Sequence, residues 1–551
     1  MTKATRLLTL LILGASVAAP AHAQDQMIIG QIQFIANLHP AIQVNNTKRG
    51  VIGYAQRPIT AFDEKGENVC ILCETVPTVE NGLAKIVDRP NGQKGMDVTL
   101  KLKAGLKWGD GVPVTAKDIA FTWKIGTDPA IGFSNYNPWN RATGVDVVDD
   151  RTAVMHLPSV MTGFNSWDQI IPEHLEGPVY AENKTGEAYL KQTGYNRAPT
   201  TPGLWNGPFL FSSYQPGTRV VMEKNPHFQP APKLDRIILA YRDNSSALMQ
   251  NFIAGAIDAV PVSPGGISFA QFLELKKSYP DRFQYFVEPG DNLERIAMQL
   301  ENPILADVRV RRALLHAIDR KTISDRLFDG LQPVADGPLP KGTPYYNAAM
   351  AVYPYDVARA KALLAEAGWK PGADGICVNG AGERLSLEFV TTAGNQTRQQ
   401  ITQVLQNQFK LACIEIQPKL VALQEYNGVM LRRRAFKGLL MGSIDFPPSA
   451  SPRIVLGSDR IPAEANAWAG NNFSGYKNTA MDALMERVET AVSEVDAKAV
   501  WGEIQKIYAE DLPLLPLYFY ARAYVAQKNV FDFVPTTVDP LNIWSEKWRR
   551  R

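Results

Sequence analysis

Four cysteines, Cys70, Cys73, Cys377 and Cys413, carry the most distinctive side-chain chemistry in the 551-residue sequence. The Cys-x-x-Cys spacing at 70–73 is that of a dithiol redox centre or of half a zinc site. A structural zinc takes about four Cys, His or acidic ligands. The chain has only six His and no second Cys-x-x-Cys, so no metal site is predicted. An even cysteine count in an oxidising compartment reads as disulfides. Cys377 and Cys413 lie beside separate apolar strand-like runs and are expected to pair. Cys70 and Cys73 either pair locally or stay buried as thiols. A catalytic set is not found. The chain lacks a Gly-x-Ser-x-Gly elbow, a His-Glu-x-x-His pair and a phosphate-cradling Gly-rich loop. Neighbouring acids such as Asp149-Asp150 point to opposite faces of a strand. The sequence predicts no enzyme and no cofactor.

Charge narrows the partners. Lys and Arg total 58 against 55 Asp and Glu, a net charge of +3. Nucleic-acid binding needs a concentrated basic surface, and this balance excludes it. The terminal Lys547, Arg549, Arg550 and Arg551 form the one basic tail, read as a solvated end.

The N-terminus has the pattern of an export signal. Lys3 and Arg6 precede an apolar run from Leu7 to Ala18, and Ala21-His22-Ala23 matches the small-x-small cleavage pattern. Cleavage would make Gln24 the first mature residue. The run is short of the ~20 residues that span a bilayer, and no Cys stands near the cleavage site for lipid attachment. The expectation is a secreted protein without a lipid anchor, built from two to four domains at ~100–200 residues each.

Strand and helix signals alternate along the chain, which predicts an α/β architecture. Val98, Leu100 and Leu102 alternate with polar residues as in a half-buried strand. A turn at Trp108-Gly109-Asp110-Gly111 follows, and Thr115 with Asp118 forms a capping box for a helix from Ala116 to Trp123. Val310, Ala313, Leu314, Ala317 and Ile318 share one helical face. So do Ala360, Leu363, Leu364 and Ala367 between Asp356 and Gly368, and Val500, Trp501, Ile504, Ile507 and Tyr508. These stripes read as core. Glu288-Pro289-Gly290-Asp291-Asn292, after the strand-like Phe283–Val287, reads as a hinge, with a second crossing near Tyr518 to Ala523.

Several segments, in order, resemble the large bacterial solute-binding proteins of peptide and nickel importers, the extracellular family 5 group. They are Leu102 through Asp118 (LKAGLKWGDGVPVTAKD), Gly207-Pro208-Phe209 with Tyr214–Gly217 and Asn225–Phe228, Gly255–Asp258, Val310–Ala313 with Ala317–Arg320, and Tyr355-Asp356 with Leu363–Gly368. The resemblance implies a periplasmic binding protein-like α/β fold of two lobes and three domains that closes over a ligand at a hinge. It places a core domain of lobe I at 24–68, 206–288 and 521–551, an accessory domain at 69–205 and lobe II at 289–520. It implies a monomer in the periplasm that delivers an oligopeptide-like solute to the permease subunits of an ABC importer in the inner membrane. A non-peptide ligand (oligosaccharide, opine, metal complex or haem) and a chaperone or sensor role are the alternatives.

The resemblance also marks a ligand site. Peptide binders carry an acid after a strand of the second lobe, and the matching stretch is Leu439 to Pro448. Asp445 is the expected anchor for a ligand ammonium. Met441, Gly442 and Ser443 would offer backbone groups and a hydroxyl. The Trp that usually precedes that acid is replaced by Gly442-Ser443. The stretch Val390 to Asn395 lacks the Arg that dipeptide binders use for the ligand carboxylate. Both departures point away from a strict dipeptide receptor. Leu38 and His39 in the first lobe, and Tyr426 and Trp468 as pocket aromatics, complete the candidate set.

Overall fold

The strand read at Val98 and Leu100 forms at Lys94–Lys101, which buries Met96, Val98 and Leu100 completely and leaves Lys94 and Lys101 exposed. The computed structural model describes residues 25–551 except 36, 44–45, 64–66, 91, 134–137, 264, 447–450, 467 and 534–541. The expected leader and the two prolines after Asp445 therefore lie outside the described residues. Lys94–Lys101 is an inner strand of a four-stranded antiparallel sheet ordered Ala84–Asp88, Lys94–Lys101, Thr152–Leu157, Gly144–Asp149. The predicted capping box is present at Thr115, and its helix runs to Thr127, one turn beyond the expected end. Asp118 does more than cap. Its carboxylate also accepts the Trp108 indole N–H at 3.2 Å and the Glu173 backbone N–H at 2.9 Å, which fastens the 108–111 turn to the helix.

One imidazole pins the outer face of this sheet. His156 Nδ1 lies 2.8 Å from Asp97 and Nε2 lies 3.0 Å from Asp146. Burial alone would lower the His156 pKa, but bonds to both acids outweigh it and raise the value. Burial alone would raise Asp97, but His156 and Arg89 outweigh it and lower the value. The His156 contribution is complete below its ordinary pKa and is lost as pH rises through the raised one. The Asp97 contribution is complete above its ordinary pKa and is lost as pH falls through the lowered one. Both act between about pH 4 and 6.5. Melting curves of wild type and His156→Asn should differ most in that window and converge toward pH 9. A difference that stays constant from pH 5 to 9 would refute the pin.

The main sheet has ten strands in the order Glu415–Val421, Ser386–Thr392, Leu439–Asp445, Phe283–Met298, Leu514–Gln527, Ala259–Val262, Gln26–Gln31, Arg236–Tyr241, Arg219–Lys224, Phe209–Gln215. Parallel pairing occurs on both flanks: Gln26–Gln31 with Arg236–Tyr241, and Ser386–Thr392 with Glu415–Val421. The helix Gln396–Leu411 links the latter pair as a crossover. The two long strands run antiparallel from Phe283↔Gln527 to Ala297↔Leu514 and join the flanks.

The segment expected as a hinge lies inside a distorted strand. Strand Phe283–Met298 continues through it, with the pairing register shifted between Pro289 and Leu293. Pro289 has no N–H to give the ladder. At Gly290 an added Cβ would stand 2.4 Å from the Tyr520 carbonyl oxygen, so the two backbones approach more closely than any other residue permits. Asp291 and Arg522 pair across the strands here at 3.0 Å.

The apolar stripes become cores on both faces of the sheet flank that carries Leu439–Asp445. Ile296, Met298 and Met441 face a cluster with Val310, Leu314, Leu363 and Leu405. Leu293, Ala297 and Leu440 face another with Met481, Trp501, Ile504 and Tyr508. On the opposite flank, Met27, Ile29, Phe209 and Leu239 share a core with Trp205 and Trp548. Helix Val357–Glu366 starts at Asp356, whose carboxylate accepts the Arg359 N–H at 2.8 Å, and Gly368 follows at φ 90°. Both disulfides form, Cys377 to Cys413 and Cys70 to Cys73, each with Cα atoms 5.1 Å apart.

The basic tail is the expected solvated end only in part, with Lys547 and Arg551 exposed and Arg549 and Arg550 half-buried. Arg549–Arg550 pairs as a strand with Val530–Phe531, Arg549 bonds Asp532 at 2.6 Å and Arg550 bonds the buried Asp258 at 2.8 Å. Acids outside the tail thus pair with two of its four cations. Among the described residues, no helix is long and apolar enough to cross a membrane, and no group of three or more His, Cys, Asp or Glu is placed to hold a metal ion.

Candidate functional site

Strand Leu439–Asp445 lies antiparallel to the long strand, with Asn292 opposite Asp445, Glu294 opposite Ser443 and Arg295 opposite Gly442. Cross-strand partners share a face, so alternation divides the candidates. Ser443 and Asp445 are exposed at the end of the strand next to the distorted crossing. Asp445 accepts a hydrogen bond from Asn292 Nδ2 at 2.5 Å. One lone-pair direction is thus occupied, and the carboxylate remains open to a cation.

Met441 and Gly442 are buried and serve the strand itself. The Met441 side chain belongs to the core with Val310 and Leu405, and its carbonyl accepts the Tyr426 hydroxyl at 2.9 Å. The Gly442 carbonyl accepts from Arg295 Nη1 at 3.1 Å. A Cβ on Gly442 would stand 1.9 Å from Tyr426 Oη. Gly442 is therefore where Tyr426 reaches the strand. Tyr426 is itself only 4% exposed.

The other candidates lie elsewhere. Leu38 and His39 are buried, at 1% and 0% exposure. His39 Nε2 lies 3.3 Å from Tyr189 Oη, and its ring meets Phe133, Tyr189 and Tyr195 edge-on. Burial, then the nearby Lys48 charge, hold its pKa well below the usual range. Burial alone brings Lys48 down to about 7, with Nζ donating to the Ile42 carbonyl at 2.6 Å. Trp468 is half-buried at φ 60°, under the Arg433 guanidinium at 5.2 Å.

A charged group beside Asp445 is not legible from the strand sequences. Glu294 is completely buried and accepts Arg398 Nε at 2.7 Å and Nη2 at 2.9 Å, plus the Tyr520 hydroxyl at 3.0 Å. Arg398 Nη1 also reaches Thr392 Oγ1 at 3.3 Å. Burial alone would weaken the Arg398 charge, but attraction and hydrogen bonds from Glu294 outweigh it and raise the pKa. An arginine therefore does stand beyond strand Ser386–Thr392, in the first turn of the helix that Asn395 caps. A carboxylate of the chain itself already holds its fork.

The family described as bacterial extracellular solute-binding proteins, family 5 Middle, matches residues 82–454. The chain belongs to this family. Among curated proteins it is 27% identical over 509 residues to the oligopeptide-binding protein AppA of Bacillus subtilis, covering 89% of this chain and 85% of AppA. Among solved structures, the oligopeptide-binding protein of Thermus thermophilus complexed with a pentapeptide superposes with TM-score 0.65 at 26% identity, over 92% of this chain and 93% of that one. NikA of Brucella suis, in complex with Fe(III)-EDTA, gives TM-score 0.76 at 18% identity over 96% and 100%, which shows a shared fold. As a family 5 member the chain has the two-lobed, periplasmic-binding-protein-like α/β architecture with a large sheet.

Proposed function

We propose that this protein is the substrate-binding component of an ABC importer. It takes an oligopeptide-like solute between its lobes and presents the closed form to permease subunits in the inner membrane. The observation that carries the reading is Asp445, an exposed carboxylate at the end of a central strand, beside the crossing where the lobes join. The relationship to peptide-binding relatives supports it. On this reading residues 24–68, 206–288 and 521–551 form the lobe I core, 69–205 its accessory domain and 289–520 lobe II. The mature protein, cleaved after Ala23, is a monomer free in the periplasm and carries out no catalysis.

Asp445 is the proposed partner of the ligand ammonium, with Ser443 beside it on the same face. Losing one charge-assisted hydrogen bond costs ~1.5–3 kcal/mol, so Asp445→Ala should weaken a free-amine peptide by about tenfold or more. Calorimetric titration of a peptide and its N-acetylated form checks this. The acetylated form should bind both proteins alike. A free-amine affinity within about twofold of wild type removes Asp445 as the anchor. Native mass spectrometry of the purified protein identifies retained ligand, and a non-peptide mass would replace the ligand class.

A further inference from the structure

The four-stranded-sheet unit touches lobe II at a place far from Asp445 in the chain. Thr162 donates its backbone N–H to the Glu489 carbonyl at 2.6 Å. Val492, in the link between helices Thr479–Thr490 and Glu494–Asp511, packs against the core that contains Val98, Leu100 and Trp108. Val160 and Met161 border the same core.

Both sides of this contact are braced from behind. Arg141 donates to the carbonyls of Gly163 at 2.8 Å and Ser166 at 2.7 Å, with its guanidinium 5.6 Å from the Trp167 ring centre. That holds the loop presenting Thr162. On the other side, Arg453 bonds Glu489 at 3.0 Å and Asp459 at 3.2 Å. Ser493 then caps the following helix by accepting the Asp496 N–H at 3.1 Å. Two preorganised surfaces lose little side-chain freedom on meeting.

We propose that this contact is a latch that sets ligand affinity without touching the ligand. The inference rests on the two-lobed receptor reading above. A hinge motion that separates the lobes must break the Thr162–Glu489 bond and withdraw Val492 from the accessory core. The contact therefore adds to the stability of the closed form alone. Apparent affinity scales with the fraction of protein in the binding-competent form. A latch of this kind changes affinity by one common factor for every ligand, whereas a pocket residue discriminates among ligands.

The test uses Val492→Asp, which sets a charge against the apolar core, and Val492→Ala as a milder change. Val492 is half-buried and lies between helices, and circular dichroism checks that both variants fold. Small-angle scattering of the ligand-free proteins should show a larger radius of gyration for Val492→Asp than for wild type, with Val492→Ala between. Stopped-flow dissociation of two peptides of unrelated sequence should be faster by about five- to tenfold in Val492→Asp, by the same factor for both. Unchanged scattering, or acceleration for one peptide only, overturns the latch. If wild type binds no peptide, the proposed ligand class falls, and scattering alone then decides the latch: a larger radius upholds it and an equal radius overturns it.

Discussion

Glu294→Ala is expected to destabilise lobe II by about 3–5 kcal/mol, the range for removing one partner of a buried ion pair. Glu294 has no exposed surface, and its carboxylate accepts two Arg398 N–H groups and the Tyr520 hydroxyl. Without it, Arg398 keeps Thr392 Oγ1 at 3.3 Å as its remaining side-chain acceptor. The cost is that of a guanidinium left in a poorly solvated place, more than that of the lost bonds. The double change Glu294→Leu with Arg398→Met removes both charges, and about half or more of the loss should return. Urea unfolding followed by tryptophan fluorescence measures each variant. A single-variant loss under about 1 kcal/mol would show that water solvates the pair as it does a surface one. The three residues lie on the two long strands and on helix Gln396–Leu411, so the damage should concentrate where the lobes join.

The second large effect concerns the disulfides, which should be unequal. Cys377 and Cys413 are 36 residues apart, and Cys70 and Cys73 three. Loop-closure entropy in the unfolded chain predicts about 4 kcal/mol for the longer loop and about 2 kcal/mol for the shorter. The longer bridge also holds a backbone. Cys413 sits at φ 59° just past helix Gln396–Leu411, a left-handed position that usually takes glycine. Its carbonyl accepts the Cys377 N–H at 2.8 Å. Paired Cys→Ala changes at each bridge, compared by urea unfolding, measure the difference. Equal losses would mean that unfolded-state entropy does not govern these bridges.

Much of the fold was legible because its signals are local. The strand at Val98 and Leu100, the Thr115 cap with Asp118 and the Asp356 cap follow from neighbours a few residues apart, and the structure contains all three. Pairing of Cys377 with Cys413 followed from their flanking apolar runs. The segment expected as a hinge took a form that its own residues do not show. Pro289-Gly290 reads locally as a break, whereas the antiparallel partner Leu514–Gln527 carries the strand through it. The pairing of Arg549 and Arg550 was hidden for the same reason, since Asp532 and Asp258 are supplied by other segments.

The sequence by itself determined the α/β class, the family and the stretch that contains Asp445, because periodicity, caps and motif order are properties of adjacent residues. Only the tertiary structure decided the chemical situation of the candidates. It left Ser443 and Asp445 exposed and made Gly442 the seat of Tyr426. It enclosed His39 in aromatic rings and set Glu294 against Arg398. Burial and charge pairing arise between residues far apart in the chain, and which of them meet is settled by strand order and register.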